Sequence, residues 1–265
     1  MTTRTTRRSI LVALALLLLA GAALAAWKFD LLGRFRTYQA DRERNDILSS
    51  FSNDAAQPAA VPELTNTSNT TGWSNAIADA QPAALPDKVL LKVQFIPQAP
   101  LDPGPVEWAK HAESCEEAAA LMAHNYAVGR TVTLQQADDE IYKLVAWQKK
   151  TWGDEHDVYA DEEAVLLRDY YGHTDVRVLK DVTVDDIKRE LAAGYPVIVP
   201  TIAAPLHNPR YREQGYHMFV LVGYTADRLI ANDNGTTWGG DYPYPYSDLM
   251  AALKATGGDA VVIHK

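Results

Sequence analysis

A single cysteine occurs in the chain, Cys115, within the stretch ESCEEAAALMAHNY. Ser114 precedes it, and Glu117 stands three residues after that serine, the spacing of a helix-capping box. The spacing predicts Cys115 at the first helical position, with Ala118, Leu121, Met122 and Tyr126 on the apolar face behind it. A thiol there meets unpaired backbone N–H groups and the positive end of the helix dipole, and both favour the nucleophilic thiolate. Glu116 and Glu117 oppose this, so activation calls for a histidinium partner. The competing reading is a small buried cysteine used only for packing.

The candidate partners are His111, His124, His156, His173, His207, His217 and His264. Six lie in polar loops, on helix faces or at the terminus. His217 opens HMFVLVGY, a strand apolar on both faces and therefore central, which sets the ring at the mouth of a sheet. A histidine base needs an acceptor on its other nitrogen. The next strand, RLIAND, returns after a tight turn around Ala226–Asp227. A three-residue turn sets Tyr224 opposite Arg228 and Asp233 opposite Phe219, on the face of His217. A two-residue turn flips the parity and offers Asn232 or Asn234 instead. An oxyanion would find donors in the Cys115 backbone N–H and in a side-chain amide upstream, Gln98 or Gln94. Gln98 sits between two prolines in IPQAP, in a stiff loop. His111, Cys115 and His124 have loosely ligand-like spacing, but two of them straddle the helix cap and no fourth ligand follows, so no metal site and no cofactor is expected.

Elements with legible ends surround these residues. KVLLKVQFIP alternates and reads as a strand. Thr133 and Gln136 form a capping box for a helix to about Lys149, whose acidic run Asp138, Asp139 and Glu140 reads as a solvated face. DEEAVLLRDYYG is a short helix stopped at Gly172, and Thr183 opens another closed by Gly194. Strands follow in YPVIVP, HMFVLVGY and RLIAND, then a helix over 247–255 and the strand AVVIHK. Helices first and a mostly antiparallel sheet later is an α+β order.

The formal net charge of −9 argues against a nucleic-acid partner, which requires a basic face. One cysteine allows no intramolecular disulfide. Arg4, Arg7 and Arg8 precede an uncharged apolar run from Ile10 to Trp27, and Ala23–Leu24–Ala25 is an acceptable cleavage site. Trp27 and Lys28 resemble an interfacial anchor. Residues 1–27 are thus expected to be a signal anchor or a signal peptide, placing the rest on the extracytoplasmic face of the membrane, or secreted if cleaved. Residues 28–50 read as a helical stalk carrying Leu31, Leu32, Phe35 and Tyr38. Residues 51–86, rich in Ala, Pro, Ser, Thr and Asn, read as a linker, and residues 87–265 as the folded domain.

Five segments occur in one order: VQFIPQAP, SCEEAAALMAHNY, TVDDIKRELAAGYPVIVP, HMFVLVGY and LIANDNG. Together they resemble the cysteine peptidases of family thirty-nine and their double-glycine leader peptidase-like relatives of papain-like fold. The resemblance spans most of residues 90–235. It implies an α+β papain-like domain with the nucleophile at a helix N-terminus packed on the sheet. It also implies Cys115 as nucleophile, His217 as general base, Asp233 as orienting residue and Gln98 as oxyanion donor, and so resolves the parity question in favour of Asp233. Ser114 stands where the family often has Gly, and Asn234 where it often has Pro. The implied reaction is peptide or amide hydrolysis on a peptide or protein substrate. The loop TIAAPLHNPRYREQGY is expected to border the substrate cleft. The rival readings are a peptide-binding module of the same fold and a transglutaminase- or amidase-type acyl transferase.

Overall fold

The computed structural model describes residues 28, 30–52, 85–101, 104–154, 156–211 and 214–264. The apolar run and residues 53–84 of the expected linker lie outside them; the linker's first two residues, 51–52, are helical instead. Two compact units divide the chain, 1–46 and 47–265. In the first, residues 30–46 are helical, and Leu31, Leu32, Phe35 and Tyr38 are exposed on that helix. Among the described residues no helix is long and apolar enough to cross a membrane.

The second unit opens with α1 (residues 47–52), where Ile47 and Phe51 pack on the core and Lys88 donates to the Ser50 carbonyl. There follow β1 (Val89–Leu90), α2 (Pro105–Lys110), α3 (Cys115–Ala127), α4 (Leu134–Trp152), α5 (Ala160–Asp169), β2 (Val176–Leu179) and α6 (Val184–Ala192). The chain continues with β3 (Val197–Ile202), a short 3-10 turn (Ala204–Leu206), β4 (Tyr216–Tyr224), β5 (Arg228–Asn232), β6 (Tyr242–Pro245), α7 (Tyr246–Lys254) and β7 (Ala260–Ile263).

The strands form one antiparallel sheet in the order β2-β7-β3-β4-β5-β6. β4 is central, as its two apolar faces require. β3 covers one of its edges from Tyr216 to Leu221, and β1 takes over at Gly223 and Tyr224. The rest of KVLLKVQFIP is not strand, although the Leu91 N–H still donates to the Val222 carbonyl at 2.7 Å, so the expected long strand is only two residues. A side chain on Gly223 would meet the Val89 carbonyl at 2.3 Å, which is why the strands can approach there.

The helices end where their caps dictate. The Thr133–Gln136 box opens α4 and the Thr183–Asp186 box opens α6. Gly172 and Gly194, at φ 77° and 91°, close α5 and α6 in the left-handed region that glycine enters without strain. α3 is buried along most of its length, packed on the sheet and against α4 and α5. Its small run Ala118–Ala120, fully buried, lets the neighbouring backbones approach closely, while Met218, Val220 and Val222 of β4 face the same core.

Candidate active site

α3 begins at Cys115, yet Ser114 does not cap it. The Ser114 backbone lies at φ −103°, ψ 25°, outside the extended region, and its hydroxyl makes no cap bond. Glu117 instead accepts from the Gln148 amide of α4 at 2.5 Å. The expected capping box is therefore absent: both of its side chains are buried in packing, and the α3–α4 contact claims the glutamate. The helix start is held from outside, where Asn234 Nδ2 donates to the Cys115 carbonyl at 2.7 Å.

The thiol is 5% exposed and makes two contacts. Met218 N–H donates to Sγ at 3.4 Å, which places the start of β4 on the nucleophile. Sγ–H donates to Glu116 Oε2 at 3.1 Å. Burial pushes the thiol well above its ordinary value, the Glu116 charge and hydrogen bond push it further, and the Met218 N–H pulls it back.

His217 is the second residue of β4 and shares a sheet face with Phe219, its ring centroid 5.5 Å away. Its Nε2 lies 2.9 Å from Asp233 Oδ1. The hairpin reaches this by a route that neither turn length alone describes. Tyr224 pairs with Leu229 rather than Arg228, and a bulge between Leu221 and Gly223 then shifts the register, so that Val220 faces Asn232. One step further on, Asp233 falls opposite Phe219, on the His217 side. Of the two asparagines, Asn232 turns to the Val93 carbonyl and Asn234 to Cys115.

Asp233 is fully buried and saturated with donors. Its Oδ1 receives Tyr211 O–H and the Gly235 N–H (3.1 Å), and its Oδ2 receives Tyr244 O–H and a long contact from Asn208 Nδ2 (3.5 Å). Burial by itself raises the carboxyl; the hydrogen bonds and charge of His217 and the two tyrosines overcome that and hold it below the usual carboxylate range. Tyr211 and Asn208 come from the loop between β3 and β4, and Tyr244 from β6. Sequence reasoning missed all three. The tyrosine-rich YPYP was a signal that the strand is an edge where Pro is tolerated.

Gln98 is buried beside this group. Its backbone N–H donates to the Asn234 carbonyl at 3.0 Å. Its amide Nε2 donates to the carbonyls of His111 (2.8 Å) and Ala112 (3.1 Å), so it fixes the loop that delivers Cys115. An oxyanion would have to exchange for one of these bonds. Gln94 is spent elsewhere, on both backbone groups of Val132. His111 is buried against Asp138 at 3.0 Å, and His124 lies against His173, also at 3.0 Å. Asp138 is therefore not part of a solvated face as expected: α4 turns it inward to the imidazole, and Glu140 is half-buried and accepts the Tyr170 O–H at 3.0 Å, leaving only Asp139 exposed. Among the described residues no group of three or more His, Cys, Asp or Glu is arranged to hold a metal.

Comparison with known proteins gives a family and a fold. The model of the Peptidase_C39 like family matches residues 90–259. The crystal structure of a protein from Bacillus anthracis described as a C39-like peptidase is 21% identical, with TM-score 0.50, covering 68% of this chain and 98% of that one. Xylellain, a cysteine protease from Xylella fastidiosa, is 17% identical with TM-score 0.40, covering 69% of this chain and 87% of its own. No curated protein matches the chain.

Proposed function

We propose, from the premise that the chain belongs to the Peptidase_C39 like family and so is a papain-like cysteine peptidase, that it hydrolyses peptide bonds through Cys115, His217 and Asp233. One observation carries this reading. The only sulfur nucleophile sits at the start of a buried helix and accepts the N–H of the residue next to His217, whose Nε2 is held on a carboxylate kept ionised.

Asp233 fixes the His217 ring and stabilises its protonated form. His217 takes the thiol proton, and the sulfur attacks the substrate carbonyl to form the S–C bond. The displaced electron pair becomes the oxyanion, stabilised by the Cys115 N–H and by Gln98 once it releases one carbonyl. Protonated His217 gives its proton to the leaving amine as the C–N bond breaks, and water then hydrolyses the thioester. The basic residues and apolar run at the N-terminus favour a membrane anchor that would place the domain, and a peptide or protein substrate, outside the cytoplasm. The β3–β4 loop, which reaches Asp233 through Asn208 and Tyr211, is the segment assigned to border the substrate.

The test is hydrolysis of a fluorogenic peptide mixture by the full chain and by Cys115→Ala. Turnover by the wild type alone supports the reading. No turnover by either, with peptides still bound, replaces it by the binding module.

A further inference from the structure

Glu116 is an unusual neighbour for a nucleophile. It is 1% exposed, on α3 immediately after Cys115, and its carboxyl bridges two elements. Oε2 accepts from the Cys115 thiol at 3.1 Å and Oε1 accepts from the Val158 N–H, ahead of α5, at 3.0 Å. The acidic groups around it come from every side. Cys115 and Glu117 lie on α3 itself, with Glu117 acting on the thiol and bonded to the neutral Gln148 of α4. Asp157 comes from the segment before α5, Glu163 from α5 and Tyr216 from β4. Glu163 is 0% exposed, and neither of its carboxyl oxygens has a hydrogen-bond partner among the described residues. A buried carboxyl without partners stays protonated. Burial raises Glu116 to about 7, against the pull of the thiol and of the Val158 N–H.

We infer that Glu116 is a further catalytic residue, a carboxyl that supports the Cys115 thiolate when it holds its own proton and suppresses it when it does not. This rests on the peptidase reading above for its role in turnover. The ionised carboxylate accepts the S–H hydrogen bond, so it keeps the proton on sulfur. The protonated carboxyl reverses the bond: its O–H donates to sulfur alongside the Met218 N–H, and the thiolate then has two donors. The thiol proton goes to His217 and later to the leaving amine. The Glu116 proton comes from solvent and stays on the carboxyl throughout, so no proton is left over. The thiol is therefore easier to ionise while Glu116 holds its proton than after it has lost it.

Alkylation by iodoacetamide reads this directly, because the full chain contains one cysteine and no turnover is needed. Rates are measured by intact mass from pH 5 to 9 for the wild type and Glu116→Gln. Glutamine keeps the shape, carries no charge and can donate to sulfur. The expected rate ratio of variant to wild type is close to unity at pH 5.5. It rises to about tenfold at pH 8.5, the effect of about one pK unit on the thiol, with its midpoint near 7. A ratio independent of pH overturns the inference, as does a variant slower at every pH. If the variant fails to fold, the wild-type profile decides: a rate whose rise with pH flattens around pH 7 and steepens again above it supports the inference, and the single smooth rise of an ordinary thiol titration overturns it. Loss of peptide turnover with this profile intact would refute the peptidase reading alone.

Discussion

Replacing Glu163 by glutamine should stabilise the protein, and should do so more strongly as pH rises. The side chain, on α5, is wholly buried near Glu116 of α3 and Tyr216 of β4, and both carboxyl oxygens lack partners among the described residues. Burial first, and then the nearby Glu116 charge, raise its carboxyl well above the ordinary value. The sign follows from proton uptake. Below the ordinary glutamate value of about 4.3 both the folded and the unfolded chain hold the proton, and the group's ionisation does not favour either state. Above it the unfolded chain ionises while the folded one does not. The unfolded state is then favoured by about 1.4 kcal/mol for each pH unit until the folded-state group also ionises. Glutamine has no such linkage. For a domain of this size about 1 kcal/mol moves the midpoint by about 2–4 °C, so the difference in Tm between Glu163→Gln and wild type should grow by about 3–6 °C per pH unit. Thermal unfolding of both proteins from pH 4 to 8, followed by circular dichroism, measures it. A difference that does not vary with pH, or a wild type that is the more stable above pH 5, would show that Glu163 is an ionised and compensated group and would refute the reasoning.

Three other substitutions probe the site. Asp233→Asn should lower kcat by about 10³–10⁴-fold, because the His217 ring loses its fixed orientation and charge partner. Its stability cost relative to wild type, about 2–4 kcal/mol near neutral pH, should vanish as acid protonates Asp233, since a carboxyl held low contributes stability above its ordinary value and loses it as pH falls through the folded value. Gly239→Ala puts a methyl group 1.8 Å from the Asp233 carbonyl oxygen, so the turn must move; a loss of about 3 kcal/mol in urea unfolding, with reduced activity, is expected. Gln98→Ala should reduce kcat by about 10²–10³-fold with little change in KM if its amide serves the oxyanion; a fall in Tm with kcat preserved would restrict it to holding the His111–Ala112 carbonyls.

Much of the fold was readable because its signals are local. Thr133, Thr183, Gly172 and Gly194 mark helix ends by chemistry confined to a few residues, and the apolar run of β4 marks a central strand without reference to its partners. The site was readable in part for the same reason: a lone cysteine at a helix start and a histidine opening a buried strand are sequence patterns. What was not readable depends on contacts between distant segments. Ser114–Glu117 has the spacing of a capping box, but Gln148 of α4 claims the glutamate, and nothing near position 114 announces that competition. The parity that brings Asp233 to His217 depends on a bulge inside β4 between Leu221 and Gly223; the glycine hints at a bulge, but not at the register it leaves behind. Tyr211, Tyr244 and Asn208 converge on Asp233 from a loop and an edge strand, and their roles exist only once the sheet has closed. Glu116 was legible as a charge opposing the thiolate. That it bonds the sulfur itself is a matter of side-chain geometry.

The most direct test of Cys115 and His217 as a working nucleophile and base is labelling by a peptidyl epoxide, which needs both an activated thiolate and a proton donor at the ring it opens. The full-length wild type, Cys115→Ala and His217→Ala would be incubated with the label at pH 6 and weighed intact. One adduct on the wild type, mapped to Cys115, with none on either variant, is predicted. Equal labelling of wild type and His217→Ala, or none on the wild type while a small alkylating agent still reaches Cys115, would contradict it.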